Sequence, residues 1–293
     1  MKTNTAITSN GMSHDFAFKN NMKHLTHILL ACLCLTACVH HSNERAELNI
    51  DSLVAQMLTE IDTSLILSDS ASSFLACNDL SQTVLYKKPS YHIRQNFVEA
   101  PEPLGFCGDN YQRFYIHWDT IYKQSPRIYR LEGRTRCKDQ YCNVYGITAI
   151  QNLKFFRFFR WWCNEIQGQY ALVALQNDSL VGKIQGEALY YFITENDSIF
   201  YSTDFVDDIQ CGRKHRGVWI DLRTNDTLTC NWGDFRIPDS GDLDQGWGCF
   251  SVNKKYYDYG WNTLYDAKHL GSYNEPDHAY YDSINQLDAL WWK

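Results

Sequence analysis

The chain lacks an apolar stretch long enough to cross a bilayer as a helix, which needs about 20 residues; the run at residues 28–35 falls far short. It lacks a glycine-rich phosphate loop and a dinucleotide fingerprint, which excludes the nucleotide-binding readings that depend on those backbones. Cys137 and Cys142 do not have zinc-ribbon spacing, and no second cysteine pair matches them. No nucleophile elbow or protease signature flanks its cysteines and histidines. An excess of positive charge is also missing. The 27 Lys and Arg stand against 34 Asp and Glu, a formal charge of −7, so there is no electrostatic footprint for nucleic acid.

Aromatic residues are abundant instead, with nine Trp and 19 Tyr. Rings of this number suit a β-rich fold, and they suit a surface where ligands stack. The N-terminal region has its own order. Met22-Lys23-His24 is basic, residues 28–35 are apolar, and the small residues Thr36 and Ala37 follow. Basic region, short apolar core and small-residue cleavage site make a secretory signal. Leu35-Thr36-Ala37-Cys38 then resembles the lipobox of bacterial lipoproteins. That resemblance implies lipidation of Cys38, cleavage before it, and a membrane partner reached through the lipid. Residues 1–37 read as leader and signal peptide, with Met22 the expected translation start. Val39 stands where Asp would favour inner-membrane retention, and no acidic run follows, so the expected location is the outer membrane, facing the periplasm.

Residues 1–37 carry Lys2, Lys19 and Lys23 against Asp15, so their removal takes the formal charge from −7 to −9. Eight cysteines remain besides Cys38: Cys77, Cys107, Cys137, Cys142, Cys163, Cys211, Cys230 and Cys249. Export places them in an oxidising space, where at least two disulfides are expected. The alternative is buried thiols acting as small hydrophobes. Spacing alone does not assign the pairing.

The expected architecture is α+β: an antiparallel β meander, barrel- or sandwich-like, with N-terminal and C-terminal helices. Residues 38–46 form a polar tether. Within 47–110, mainly helical, Ile50, Leu53, Val54, Met57, Leu58 and Ile61 make one apolar helical face over 47–62, and a second helix is expected near 72–85. Residues 111–275 are the β domain. Phe114, Ile116 and Trp118 alternate there with Tyr115 and His117, and three Asn-Asp-Ser/Thr turns at 177–179, 196–198 and 225–227 mark hairpins. Residues 276–293 carry Ile284, Leu287, Leu290 and Trp291 on one helical face.

Asp, then Ser or Thr, then an aliphatic residue or Ala recurs seven times after Cys38, and the pattern resembles the O-glycosylation acceptor of exported Bacteroidetes-type proteins. The turn hydroxyls of Ser179, Ser198 and Thr227 are the candidates it implies. Lys154-Phe155-Phe156-Arg157-Phe158-Phe159-Arg160-Trp161-Trp162 admits two readings. As a helix it would carry a basic stripe on an aromatic body, suited to a membrane interface. As a core element it would bury the rings and let the Arg stems reach solvent.

Three further groups carry chemistry in principle. Asp207, Asp208, Cys211 and His215 bring a thiol near a histidine, the material of a hydrolytic nucleophile and its base. Asp239, Asp242 and Asp244 offer oxygen ligands in one loop, though without EF-hand order. His117 and Asp119 would share a face of one strand. No metal and no cofactor is expected. The leading functional expectation is a non-catalytic envelope lipoprotein binding a glycan, a lipid or an envelope protein, with Trp219, Trp232, Trp247 and Trp261 as candidate rings. The alternative is a hydrolase built on the Asp/Cys/His cluster.

Overall fold

The computed structural model describes residues 48–85, 90–93, 96–99, 102–158, 161–195, 198–201, 212–234, 236–246, 250–262 and 291–292. Helix α1 (Ile50–Thr59) opens on Asn49, whose side chain accepts from the Ser52 backbone N–H at 3.0 Å. Helix α2 (Asp69–Cys77) opens on Ser68 in the same way, and a single π-helical turn (Ser81–Leu85) follows. The expected second helix therefore begins earlier than residue 72 and is interrupted before 85. A short hairpin comes next, β1 (Ser90–Ile93) with β2 (Asn96–Glu99).

The body is a meander of long antiparallel strands: β3 (Leu104–Cys107), β4 (Gln112–Lys123), β5 (Ile128–Cys137), β6 (Gln140–Phe158), β7 (Trp161–Gln176), β8 (Ser179–Glu195), β9 (Ser198–Tyr201), β10 (Lys214–Asp221) and β11 (Thr227–Gly233). Consecutive strands pair from β3 to β9, β10 pairs with β11 and with β8, and β11 returns to β3. Residues 182–189 of β8 lie along β10 and its last four residues lie along β9. Eight strands thus close into an up-and-down ring, with β9 as an extra strand beside the end of β8. The fold is α+β with a barrel-like antiparallel sheet.

The hairpin turns obey local chemistry. Asn177 and Asp178 both have positive φ, at 50° and 60°, which is the type I′ turn that matches strand twist. The sequence reads Leu180–Ile184 and Leu189–Thr194 as strands of two separate hairpins, whereas β8 runs through both as one strand. Gly186 marks the reason: a Cβ there would lie 1.9 Å from the Arg216 carbonyl oxygen, so β8 and β10 cross at a separation only glycine permits. The barrel also starts earlier than residue 111, because β3 lies in the segment expected to be mainly helical.

Alternation sorts the side chains. Phe114, Ile116 and Trp118 point inward as their spacing requires, and a bulge between Trp118 and Thr120 resets the phase so that Ile121 is inside too. The outer faces of β6 and β7 offer Ile147, Ala149, Ala171, Val173 and Leu175, and Val54 and Met57 of α1, with Ile61 just past its end, cover them. A second outer cluster covers Phe106 of β3 with Ile237, Leu243, Phe250, Tyr256 and Trp261. Of the aromatic-cationic run, residues 154–158 end β6 and residues 161–162 begin β7, so these are strand and not helix: Arg157 pairs with Trp162 and Phe158 with Trp161 in register. Phe155 and Phe156 are about 40% exposed there. The expected C-terminal helix at 276–293 lies outside the described residues except for Trp291 and Trp292. Among the described residues no helix is long and apolar enough to cross a membrane.

Candidate functional site

An eight-stranded barrel is just wide enough to be filled by side chains or to hold one small ligand. Its two ends differ here. The end formed by the close of β4 and the start of β5 is capped. Leu75 of α2 and Leu80, Val84 and Leu85 of the π turn join the barrel core with Ile121 and Tyr129. Lys123 Nζ donates to the carbonyl oxygens of Leu75 and Asn78 at 2.7 and 2.8 Å, and Gln82 Nε2 to that of Ile121 at 3.2 Å. Beside the cap sits a buried ion pair. Arg213 Nε donates to Asp234 at 2.9 Å, Arg213 Nη1 donates to the Leu85 carbonyl at 3.2 Å, and the Tyr201 hydroxyl donates to the same Asp234 carboxylate.

The other end is open. A cavity of about 370 Å³ is bounded by the end of β3, the start of β4, the β5–β6 turn and the β10–β11 turn. Its apolar wall is Cys107, Phe114, Cys137, Cys142, Trp219 and Leu228. Its polar rim includes Gln140, Thr224, Asp226 and Thr227. The turn that builds the rim is ordered by Asp221, which accepts from the Arg223 backbone N–H at 2.8 Å and its guanidinium at 2.6 Å. Those contacts hold the Asp221 carboxyl down at about 2.

Beneath the wall lies a layer of buried polar rings. Phe114 packs on Trp232 with ring centroids 5.9 Å apart, and Trp232 stacks on His215 at 4.6 Å. Tyr170 and Tyr190 meet the same imidazole edge-on at 5.5 Å, and Tyr190 shares a 3.3 Å hydrogen bond with His215 Nε2. Burial first, and the Arg213 charge second, push the His215 imidazole down to about 3. Burial pushes the Tyr190 phenol up to about 12. Gly217 makes room for this layer, since a Cβ on it would lie 2.2 Å from the Tyr170 hydroxyl.

The structure distributes the candidate residues unevenly. Trp219 lines the mouth. Trp232 and Trp261 are completely buried, the first inside the barrel and the second outside it under the Arg113 guanidinium at 4.3 Å, so neither ring is offered to solvent. Trp247 lies outside the described residues, as do Asp207, Asp208 and Cys211. His215 is buried inside the barrel, where burial holds the imidazole neutral. Asp239, Asp242 and Asp244 are each engaged by a different cation: Arg216 at 2.7 Å, Lys255, and Arg236 at 2.8 Å. Among the described residues no three His, Cys, Asp or Glu side chains are placed to hold a metal ion. His117 and Asp119 do come together, at 3.7 Å on the outer face of β4. Glu102 sits 3.2 Å from the other ring nitrogen and Trp292 stacks on the imidazole at 4.0 Å, which makes an enclosed structural clasp. Ser179, Ser198 and Thr227 are all exposed, and Thr227 belongs to the mouth rim. Cys38 lies outside the described residues.

The mouth itself was not legible beforehand. Its thiols were visible as a count, but their convergence follows only from strand register. Comparison with protein-family models, curated proteins and solved structures finds no match to this chain.

Proposed function

We propose that this chain is a membrane-tethered envelope lipoprotein whose barrel binds a small ligand in its open mouth, without catalysis. The observation that carries the binding half is the asymmetry of the barrel: one end filled by α2 and the π turn, the other a cavity with an apolar wall and a hydrogen-bonding rim. Its volume, about 370 Å³, falls at the lower end of the range for small-molecule sites. Trp219 and Phe114 suit a flat apolar body, and Asp226 and Gln140 suit donors on its polar edge. A lipid fragment or a sugar with an apolar face meets that description. The tether half rests on Leu35-Thr36-Ala37-Cys38 and the signal before it.

A thermal-shift and tryptophan-fluorescence panel of sugars, lipids and small aromatic compounds tests the binding reading, because a ligand of the folded state raises the melting temperature. A hit should weaken at least tenfold in Trp219→Ala and less in Asp226→Asn. A panel without hits, or undiminished binding in Trp219→Ala, rejects the mouth as the site. For the tether, Cys38→Ser should abolish labelling by a palmitate analogue and release the protein from the membrane fraction. Surface proteolysis of intact cells reports the side: digestion means an outward face, protection a periplasmic one.

A further inference from the structure

Four cysteines converge on the barrel mouth. Cys107, Cys137 and Cys142 line the cavity, and Cys230 is fully buried behind Cys107. Cys77 stands apart from them, exposed on α2. The four are not equivalent. Cys107 on β3 stands directly opposite Cys230 on β11 in register. The next pair along the ladder is Gly108 and Thr229, and the Gly108 backbone N–H donates to the Thr229 carbonyl at 2.7 Å. Hydrogen-bonded and non-hydrogen-bonded pairs alternate along an antiparallel ladder, so Cys107 and Cys230 form a non-hydrogen-bonded pair. Such pairs hold their Cα atoms about 4.5 Å apart with the side chains close. That separation lies inside the window for a disulfide, about 4.4–6.8 Å. Both side chains point into the barrel core. Neither Cys137 nor Cys142 stands opposite Cys107 or Cys230 on a neighbouring strand: Cys137 lies on β5, beyond β4, and Cys142 one strand further on.

The position on the fold gives the pair a consequence. The barrel closes where its last strand meets its first, and that seam is short. β3 and β11 share four register pairs, while β6 and β7 share fifteen. More than a hundred residues lie between the two cysteines, so a crosslink there removes much chain freedom from the unfolded state.

We infer that Cys107 and Cys230 are a dithiol that oxidises to a cross-strand disulfide and locks the closing seam of the barrel at its open mouth. The inference does not depend on the mouth taking a ligand. The oxidant is a disulfide of the surroundings, either a small-molecule disulfide or a dithiol oxidoreductase. Cys107 Sγ faces the cavity and attacks first as the thiolate. An S–S bond forms to one sulfur of the oxidant, and its other sulfur leaves and takes up a proton. Cys230 Sγ then gives up its proton, displaces the bound sulfur and forms the Cys107–Cys230 bond. Two protein thiols are oxidised and one disulfide is reduced to two thiols. Burial pushes the Cys230 thiol far up, which leaves the first attack to the cavity-facing Cys107. Burial also pushes Cys137 up to about 12 and raises Cys142, so both rest as thiols beside the pair.

The test uses the full chain treated with oxidised glutathione or with a reducing agent, then alkylated, digested without reduction and read by mass spectrometry. A peptide pair joining Cys107 to Cys230 is expected, together with a melting temperature about 10 °C higher in the oxidised protein. Cys230→Ser and Cys107→Ser should each remove the linked peptide and the redox dependence of melting. The peptide map is read on the unaltered chain, so it stands even if a variant folds poorly. Linkage of Cys107 to Cys137 or Cys142, no linkage at all, or a Cys107–Cys230 link that leaves melting unchanged would each overturn the inference.

Discussion

At the capped end of the barrel, Leu75, Leu80, Val84 and Leu85 fill the opening, and Arg213 with Asp234 ties strand to cap through a buried ion pair. At the mouth, residues of comparable apolar character line open space, and the charged pair Asp221–Arg223 sits near the surface. Both ends arise from the same strands, so the strands do not create the difference. It comes from what lies before and between them. The segment preceding β1 folds back over one opening, while the β5–β6 and β10–β11 turns are too short to cover the other. Stability is therefore concentrated at one end, and the capacity to accept a ligand at the other.

This contrast can be broken most severely at Asp234. Asp234→Asn removes the charge that compensates Arg213 in a site closed to water, and a cost of about 3–5 kcal/mol is expected by urea unfolding. An effect below about 1 kcal/mol would mean that the ion pair does not hold the cap. Leu75→Ala comes next, with a loss of about 2–5 kcal/mol for a fully buried leucine. Calorimetry should show that loss without altered binding at the mouth.

The polar layer between the ends gives a pH signature. His215 is held neutral to about pH 3 in the folded chain, while an unfolded histidine takes up its proton near 6.5. Between those values the unfolded state binds the proton and the folded state does not. Stability contributed by the neutral imidazole is complete above about pH 6.5 and is lost as pH falls toward 3, at up to about 1.4 kcal/mol per pH unit. His215→Gln should flatten that slope in a series of denaturant melts. The smallest effect belongs to the mouth: Thr224→Ala on its exposed rim should change stability by less than about 0.5 kcal/mol. A larger loss would show that the rim is structural, and the division between the two ends would blur.

Much of the sheet was readable in advance, because its signals are local. Asn177-Asp178 encodes a type I′ turn by the conformations those residues tolerate, and the inward spacing of Phe114, Ile116 and Trp118 follows from the pleat. Other features escaped for equally physical reasons. Whether β8 is one strand or two depends on how closely β10 approaches Gly186, which no local pattern records. The run from Lys154 to Trp162 carries the three-residue spacing of a helix, yet pairing across the β6–β7 hairpin overrides it. Tryptophan content pointed toward ligand contact, but Trp232 and Trp261 turned out to be core.

The sequence by itself determined the α+β class, the turn at Asn177-Asp178 and the face of α1 that packs, because each is written in neighbouring residues. Only the tertiary structure decided that the strands close into a ring, that α2 and the π turn fill one end of it, and that Cys107 meets Cys230. Those outcomes depend on register between segments separated by up to a hundred residues and more, and register is fixed when the whole sheet buries its apolar face at once.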